Sequence, residues 1–125
     1  PSVKIWGTGM PKREFLHVDD LASASIYVMN LSKQKYFEFT KKMLSHINIG
    51  VGNDISILDL AHKIKKIIKY NGQIDFDTSK PDGPPQKLLD SSLINNLNWH
   101  HSINLDSGLS KTYDDFVKND LNKYE

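Results

Sequence analysis

The sequence predicts an α/β domain. Short apolar runs closed by glycine alternate with longer segments whose apolar residues recur at helical spacing. The helical period is clearest in Ile57, Leu60, Ala61, Ile64, Ile67 and Ile68, one stripe opened by a capping-box-like Ser56 and Asp59. A length of 125 residues, with 38% hydrophobic and 25% charged content, suits one modest soluble domain. A chain of this size buries roughly two-thirds of its unfolded surface, enough for a core. No repeat, low-complexity tract or internal linker divides it.

Ser2 to Trp6 reads as a short strand, stopped by Gly7-Thr8-Gly9. Arg13 to Val18 reads as a second extended run. Asp19 and Asp20 then open a helix, because carboxylates favour the positive end of the first turn. Leu21, Ala24, Val28 and Leu31 keep its spacing to about Ser32. Residues 33–44 are basic and aromatic without a clean period, and read as an insertion loop or a short irregular helix. His46 to Gly50, HINIG, reads as a strand buried on both faces. The Ile57–Ile68 helix follows, and Asn71-Gly72 suits its end. Gln73 to Phe76 is a third strand. Thr78 to Lys87, TSKPDGPPQK, is a Pro/Gly loop incompatible with regular structure. Asp90 caps a short helix over Ser91 to Leu97. Asn104 caps a last helix with apolar positions Leu105, Leu109, Thr112, Phe116 and Val117.

The composition narrows the possible functions. A formal net charge of +1 creates no global field and offers nucleic acid no electrostatic footprint. Without cysteine there is no disulfide, thiolate chemistry or cysteine-based metal site, as fits a cytosolic protein. No apolar run approaches the roughly 20 residues of a membrane span, and Pro1-Ser2-Val3 does not begin a signal peptide. The chain lacks a starting Met, so Pro1 is expected to lie inside a longer protein.

Chemistry concentrates in Trp6 to Asp20, WGTGMPKREFLHVDD. An indole can stack on a flat base or sugar, or simply join the core. The Arg13 guanidinium can grip phosphate oxygens in a two-pronged hydrogen bond, or sit at the surface paired with Glu14 or Asp20. Gly7-Thr8-Gly9 can cradle phosphate, or form a tight turn. In the second loop, Asp82 can accept from sugar hydroxyls or a guanine edge, and Lys87 can neutralise a phosphate. Pro81, Pro84 and Pro85 stiffen that loop, while Asp82-Gly83 also suits a plain solvated turn. His17 and His100-His101 lack companions at metal-ligand spacing, so no metal site is expected. Lys65 to Lys69 and Lys41-Lys42 read as solvated faces. None of the five tyrosines has a lysine four residues later, and no Gly-x-Gly-x-x-Gly follows a strand. A reductase on this fold needs both.

Nearly the whole chain resembles the carboxy-terminal region of the GDP-L-fucose synthases, bifunctional GDP-4-keto-6-deoxymannose 3,5-epimerase/4-reductases of the extended short-chain dehydrogenase/reductase family. The matching stretches are WGTG-P--REFLHVDDLA-ASI-VM at 6–29, MLSHINIGVG at 43–52, Leu60-Ala61, SKPDG-P-KLLD at 79–90, LNW at 97–99 and GL--TY--F at 108–116. REFLHVDD with KPDG-P-KLLD carries the specificity. REF-(hydrophobic)-HV-x-D alone marks only the extended reductases. The family commonly has arginine where Gln86 stands and threonine where Met10 stands.

The resemblance implies that residues 1–125 form one GDP-sugar-binding domain, the carboxy-terminal substrate-binding portion of a longer enzyme. That portion is incomplete without an upstream Rossmann domain, whose sheet HINIG joins. Trp6, Arg13, Asp82 and Lys87 are the implied substrate contacts: Arg13 on the diphosphate, Trp6 and Asp82 shaping the hexose and nucleotide pocket. NADP, the reductase Tyr and Lys, and the cysteine and histidine of epimerisation would all lie upstream of Pro1, leaving no catalytic residue in this chain. The implied intact protein is a cytoplasmic, NADPH-dependent homodimer making GDP-L-fucose. Two alternatives stand beside it: another nucleotide-sugar epimerase/reductase, such as a GDP-6-deoxy-heptose reductase, and a non-catalytic binding module.

Overall fold

A computed structural model describes residues 1–119. Strand β1 (Ser2–Trp6) pairs in parallel with β4 (Gln73–Asp77), with Ser2 opposite Gln73 and Trp6 opposite Asp77. A second sheet has the order β3-β2-β5. Its centre, β2 (Lys12–Glu14), runs antiparallel to β3 (Asp54–Ser56) and parallel to β5 (Gln86–Lys87). Helices α1 (Val18–Met29), α2 (Lys33–Phe39), α3 (Ile57–Ile67), α4 (Ser92–Asn96) and α5 (Leu105–Asn119) complete an α/β arrangement. The expected class therefore holds.

The extended run expected over Arg13–Val18 is cut short. Its ladder ends where Glu14 faces Asp54, and the chain turns into α1. His17 caps that helix, its Nδ1 accepting from the Asp19 amide at 3.2 Å. Asp19 and Asp20 thus fill the first turn rather than open it. The helix stops at Met29 instead of near Ser32: Asn30 leaves helical geometry at φ −91°, ψ 0°, and its Nδ2 returns to the Ile26 carbonyl. Ser32 begins α2 by accepting from the Lys35 amide at 3.1 Å.

His46 to Gly50 is not a strand. No described strand pairs with it, so its backbone has no ladder to join. Ile47 and Ile49 pack instead against the core. The Ser56–Asp59 cap is as read: Ser56 Oγ accepts from the Asp59 amide at 3.0 Å and donates to Asp59 Oδ2 at 2.6 Å. Helix α3 ends at Ile67 with Ile68 as its C-cap and Lys69 at φ +55°, short of the expected Asn71-Gly72. The Pro/Gly loop is irregular except at β5, where a parallel pairing with β2 captures Gln86 and Lys87. Asp90 Oδ1 accepts from the Ser92 amide at 2.9 Å beside a slightly shorter α4, and Asn104 Oδ1 accepts from Ser107 at 2.9 Å below α5.

The core is small. Ala24, Ile94, Leu97 and Trp99 are buried, and Leu16, Tyr27, Val28, Ile47 and Ile49 pack around Ala24, Ile94 and Trp99. Each fully buried side chain of this size contributes about 1.5–3 kcal/mol. Polar groups inside are satisfied: Trp99 Nε1 donates to Ser23 Oγ at 3.2 Å, and the Tyr27 hydroxyl donates to the Leu97 carbonyl. Asp20, 3% exposed, accepts from the amides of Ser102 and Ile103 and from Ser102 Oγ. Burial alone would raise its pKa, but these hydrogen bonds, helped by His101, outweigh it and hold the carboxyl below the usual aspartate value. Helices α3 and α5 face one another, with Ile64, Leu109, Tyr113 and Phe116 lining an open groove. Of α5 only Gly108 is buried, so the expected stripe is only partly covered.

Candidate functional site

The core lies at the α1–α4 side, and the chemistry-bearing residues gather elsewhere, where β1 ends and β2 meets β5. Trp6 closes β1 and stands 73% exposed, which removes the core reading of this side chain. By contrast Trp99, at 5%, is the core indole. Lys80 Nζ lies 5.7 Å from the Trp6 ring centroid, within cation–π range.

After Trp6 the chain turns sharply. Gly7 and Gly9 adopt φ +83° and +77°, which glycine tolerates and other residues rarely do. Three amides of the turn are already engaged. Gly7 N donates to the Asp77 carbonyl at 2.9 Å, Thr8 N to Asp82 Oδ1 at 2.8 Å and Met10 N to Thr8 Oγ1 at 3.2 Å. The turn then leads into β2, not into a helix. It is therefore a structural turn rather than a phosphate cradle, and it does not fit a dinucleotide, whose loop needs free amides at a helix N-terminus.

Arg13 is half-buried on β2. It pairs with neither Glu14 nor Asp20. Glu14 accepts from Gly52 N at 2.6 Å and Leu89 N at 3.2 Å, while Asp20 holds Ser102 and Ile103. The Arg13 Nη1 hydrogens go to the carbonyls of Lys12 at 2.6 Å and Pro84 at 2.9 Å. Those bonds orient the guanidinium and leave the Nε and Nη2 donors for a ligand. Lys87 lies directly opposite Arg13 in the parallel register, so both side chains leave the same face of the sheet. Lys87 is exposed. Two cations side by side suit a diphosphate.

Asp82 meets a protein partner first. Its Oδ1 takes the Thr8 amide and its Oδ2 the Thr8 hydroxyl at 2.6 Å. The Thr8 hydroxyl, with the Thr8 amide behind it, draws its pKa below the ordinary aspartate value. At the loop's start, Asp77 Oδ1 accepts from Ser79 N at 3.1 Å and Ser79 Oγ at 2.5 Å. Gln86, which stands where the family commonly has arginine, points its Nε2 at Asp54 Oδ2.

The structure thus brings Trp6, Arg13, Asp82 and Lys87 to one region, from segments more than seventy residues apart in sequence. Sequence reasoning missed Thr8 and Lys80 as members. Both stood inside quoted motifs, Gly-Thr-Gly and KPDG, but only folding shows which side chain each one meets. Among the described residues no group of three or more His, Cys, Asp or Glu is placed to hold a metal ion, and no helix is long and apolar enough to cross a membrane.

Residues 1–50 match the family model of the NAD dependent epimerase/dehydratase family. A GDP-L-fucose synthase of Escherichia coli (strain K12) is 52% identical over 119 residues, 95% of this chain and 37% of that protein. The chain is thus similar to members of the NAD dependent epimerase/dehydratase family. Within this family its similarity is to the GDP-L-fucose synthases.

Solved structures agree. A GDP-6-OMe-4-keto-L-xylo-heptose reductase from Campylobacter jejuni superposes with TM-score 0.85 at 41% identity, covering 95% of this chain and 34% of that one. A GDP-mannoheptose C4 reductase from the same organism, solved with NADP bound, gives TM-score 0.76 at 42% identity over 90% of this chain and 34% of that one. The chain spans about a third of the length of the curated family members it matches.

Proposed function

We propose that this chain is the GDP-sugar-binding part of a longer NADPH-dependent enzyme of the family. That enzyme would convert GDP-4-keto-6-deoxy-D-mannose to GDP-L-fucose by 3,5-epimerisation and 4-reduction. The observation that carries the reading is the in-register pair of Arg13 and Lys87 on one sheet face, with an exposed Trp6 under Lys80 of the same β4–β5 loop. Arg13 and Lys87 take the diphosphate, and the Trp6 ring packs on a flat part of the nucleotide or sugar. Asp82 shapes the same pocket. Similarity to a GDP-L-fucose synthase at 52% identity supports the choice of substrate class.

In this reading the chain's own work is positioning. Holding the nucleotide end at several points places the reacting sugar carbon in a narrow range of geometries, and such positioning is a large part of catalysis. Binding energy from the remote GDP can be used at the reacting carbon. The sequence holds no dinucleotide loop and no Tyr-x-x-x-Lys pair, so NADP, which supplies the hydride, is assigned to the remainder of the longer protein, with the Tyr–Lys pair. The same reading makes that protein cytoplasmic and homodimeric.

A second reading keeps the site and changes the sugar to a GDP-keto-heptose; the 0.85 superposition on a heptose reductase favours it. Turnover of each GDP-keto-sugar by the longer protein, followed by NADPH absorbance, separates the two. The site itself is tested by Arg13→Lys. A lysine cannot copy a two-pronged contact, so GDP affinity measured by calorimetry falls by about 1.5–3 kcal/mol, one charge-assisted hydrogen bond. NADPH affinity stays nearly the same. Equal GDP affinity in the two proteins returns Arg13 to an ordinary surface arginine, and the site assignment falls with it.

A further inference from the structure

We infer that Asp82 is a positioning residue that acts through Thr8, holding the Trp6 end of β1 and the Arg13–Lys87 pair in register for one ligand. The inference rests on the nucleotide-sugar reading above and deepens it.

The loop between β4 and β5 touches the site at four places. Lys80 stands over the Trp6 ring. Asp82 takes both polar hydrogens of Thr8. The Pro84 carbonyl accepts from Arg13 Nη1, and the Pro85 carbonyl accepts from the Lys12 amide at 2.8 Å. Pro84 and Pro85 therefore fasten the loop to β2, while Asp82 fastens it to the turn after Trp6. Among the described residues, no other side-chain hydrogen bond joins the loop past Lys80 to that turn. The fit is also steric. A Cβ on Gly7 would lie 2.2 Å from Asp82 Oδ1, so the carboxylate occupies the space that a side chain would fill.

The clamp is exposed to solvent, so its contribution to stability is modest. Its effect is geometric. A stacked ring and a two-pronged guanidinium must address two ends of the same ligand at once, and a loop released at one end loosens both. A carboxylate that served by touching the sugar directly would not depend on a threonine hydroxyl behind it. Dependence on Thr8 is thus the property that marks the positioning role.

The test is a double-mutant cycle in the longer protein that carries this chain. Thr8→Val, Asp82→Asn and the pair are titrated with GDP by calorimetry, with Thr8→Ser as the conservative variant. NADPH affinity reports folding, and Thr8→Ala replaces Thr8→Val if the valine protein fails to fold. Each single change is expected to weaken GDP binding roughly tenfold, the scale of one hydrogen bond. The double variant should be no weaker than the worse single, and Thr8→Ser should bind as wild type. Wild-type affinity in the Thr8→Val protein alongside a weakened Asp82→Asn protein overturns the inference in favour of direct contact. Fully additive losses, or no loss in either, overturn it as well. Arg13→Lys in the same titration separates the two levels. If it weakens GDP and the clamp variants do not, only the positioning role falls. If it too is neutral, the nucleotide-sugar reading fails first.

Discussion

Replacing Gly7 by alanine asks the structure for a number. Gly7 has φ +83°, a conformation that costs an L-residue about 1–2 kcal/mol. Gly52, at φ +75°, bears the same cost. The two differ in what a Cβ meets. At Gly52 its only near neighbour is Ser91 Oγ at 3.6 Å, ordinary contact. At Gly7 it meets Asp82 Oδ1 at 2.2 Å. The carboxylate must leave, and both hydrogen bonds to Thr8 go with it. Both bonds are exposed to solvent, so their loss adds only modestly to the backbone strain. Gly52→Ala should therefore cost about 1–2 kcal/mol, and Gly7→Ala should cost more than Gly52→Ala. Urea unfolding of the longer protein carrying each change measures both, from midpoints at constant slope. Gly7→Ala should also weaken GDP, whereas Gly52→Ala should not. Equal destabilisation by the two substitutions refutes the steric argument, because backbone strain alone would then account for both.

Further outcomes are expected. The 125-residue chain alone, which lacks a Tyr-x-x-x-Lys pair and a dinucleotide loop, should not oxidise NADPH with any GDP-keto-sugar; oxidation above a buffer control contradicts this. Asp20→Ala leaves the amides of Ser102 and Ile103 without their acceptor and should cost about 2–4 kcal/mol in thermal or urea unfolding. Because the Asp20 carboxyl is held below its ordinary value, its stabilisation is present above the usual aspartate pKa of about 3.9 and is lost as pH falls through the folded value. Asp20→Asn should accordingly flatten the acid limb of the stability curve, and an unchanged limb would count against that linkage. Residues 46–50 have no described ladder, so their amides should exchange rapidly in the isolated chain; strong protection there in a monomer would show a pairing that the structure lacks.

Much of this was local enough to read in the sequence. Ser56–Asp59 and Asn104 cap their helices as their residue types require, because a cap joins groups three residues apart. β1 and β4 were legible from short apolar runs between glycine turns. The Trp6 and Arg13 candidates stood out by residue type, and KPDG by its stiffness. HINIG shows the limit of this reasoning. Its composition suits a buried strand, yet a strand exists only with a paired neighbour, and no described strand pairs with it. The two-residue β5 shows the converse: Gln86 and Lys87 have no strand pattern of their own and are ordered by pairing with β2. The sequence by itself determined the α/β class, the Ser56–Asp59 and Asn104 caps and the family motifs, all of which depend on residues near one another in the chain. Tertiary structure alone decided that Arg13 faces Pro84 rather than Glu14, that Lys87 shares its face, and that Asp82 closes on Thr8. Those contacts join segments some seventy residues apart, and no local propensity encodes which distant group a side chain will meet.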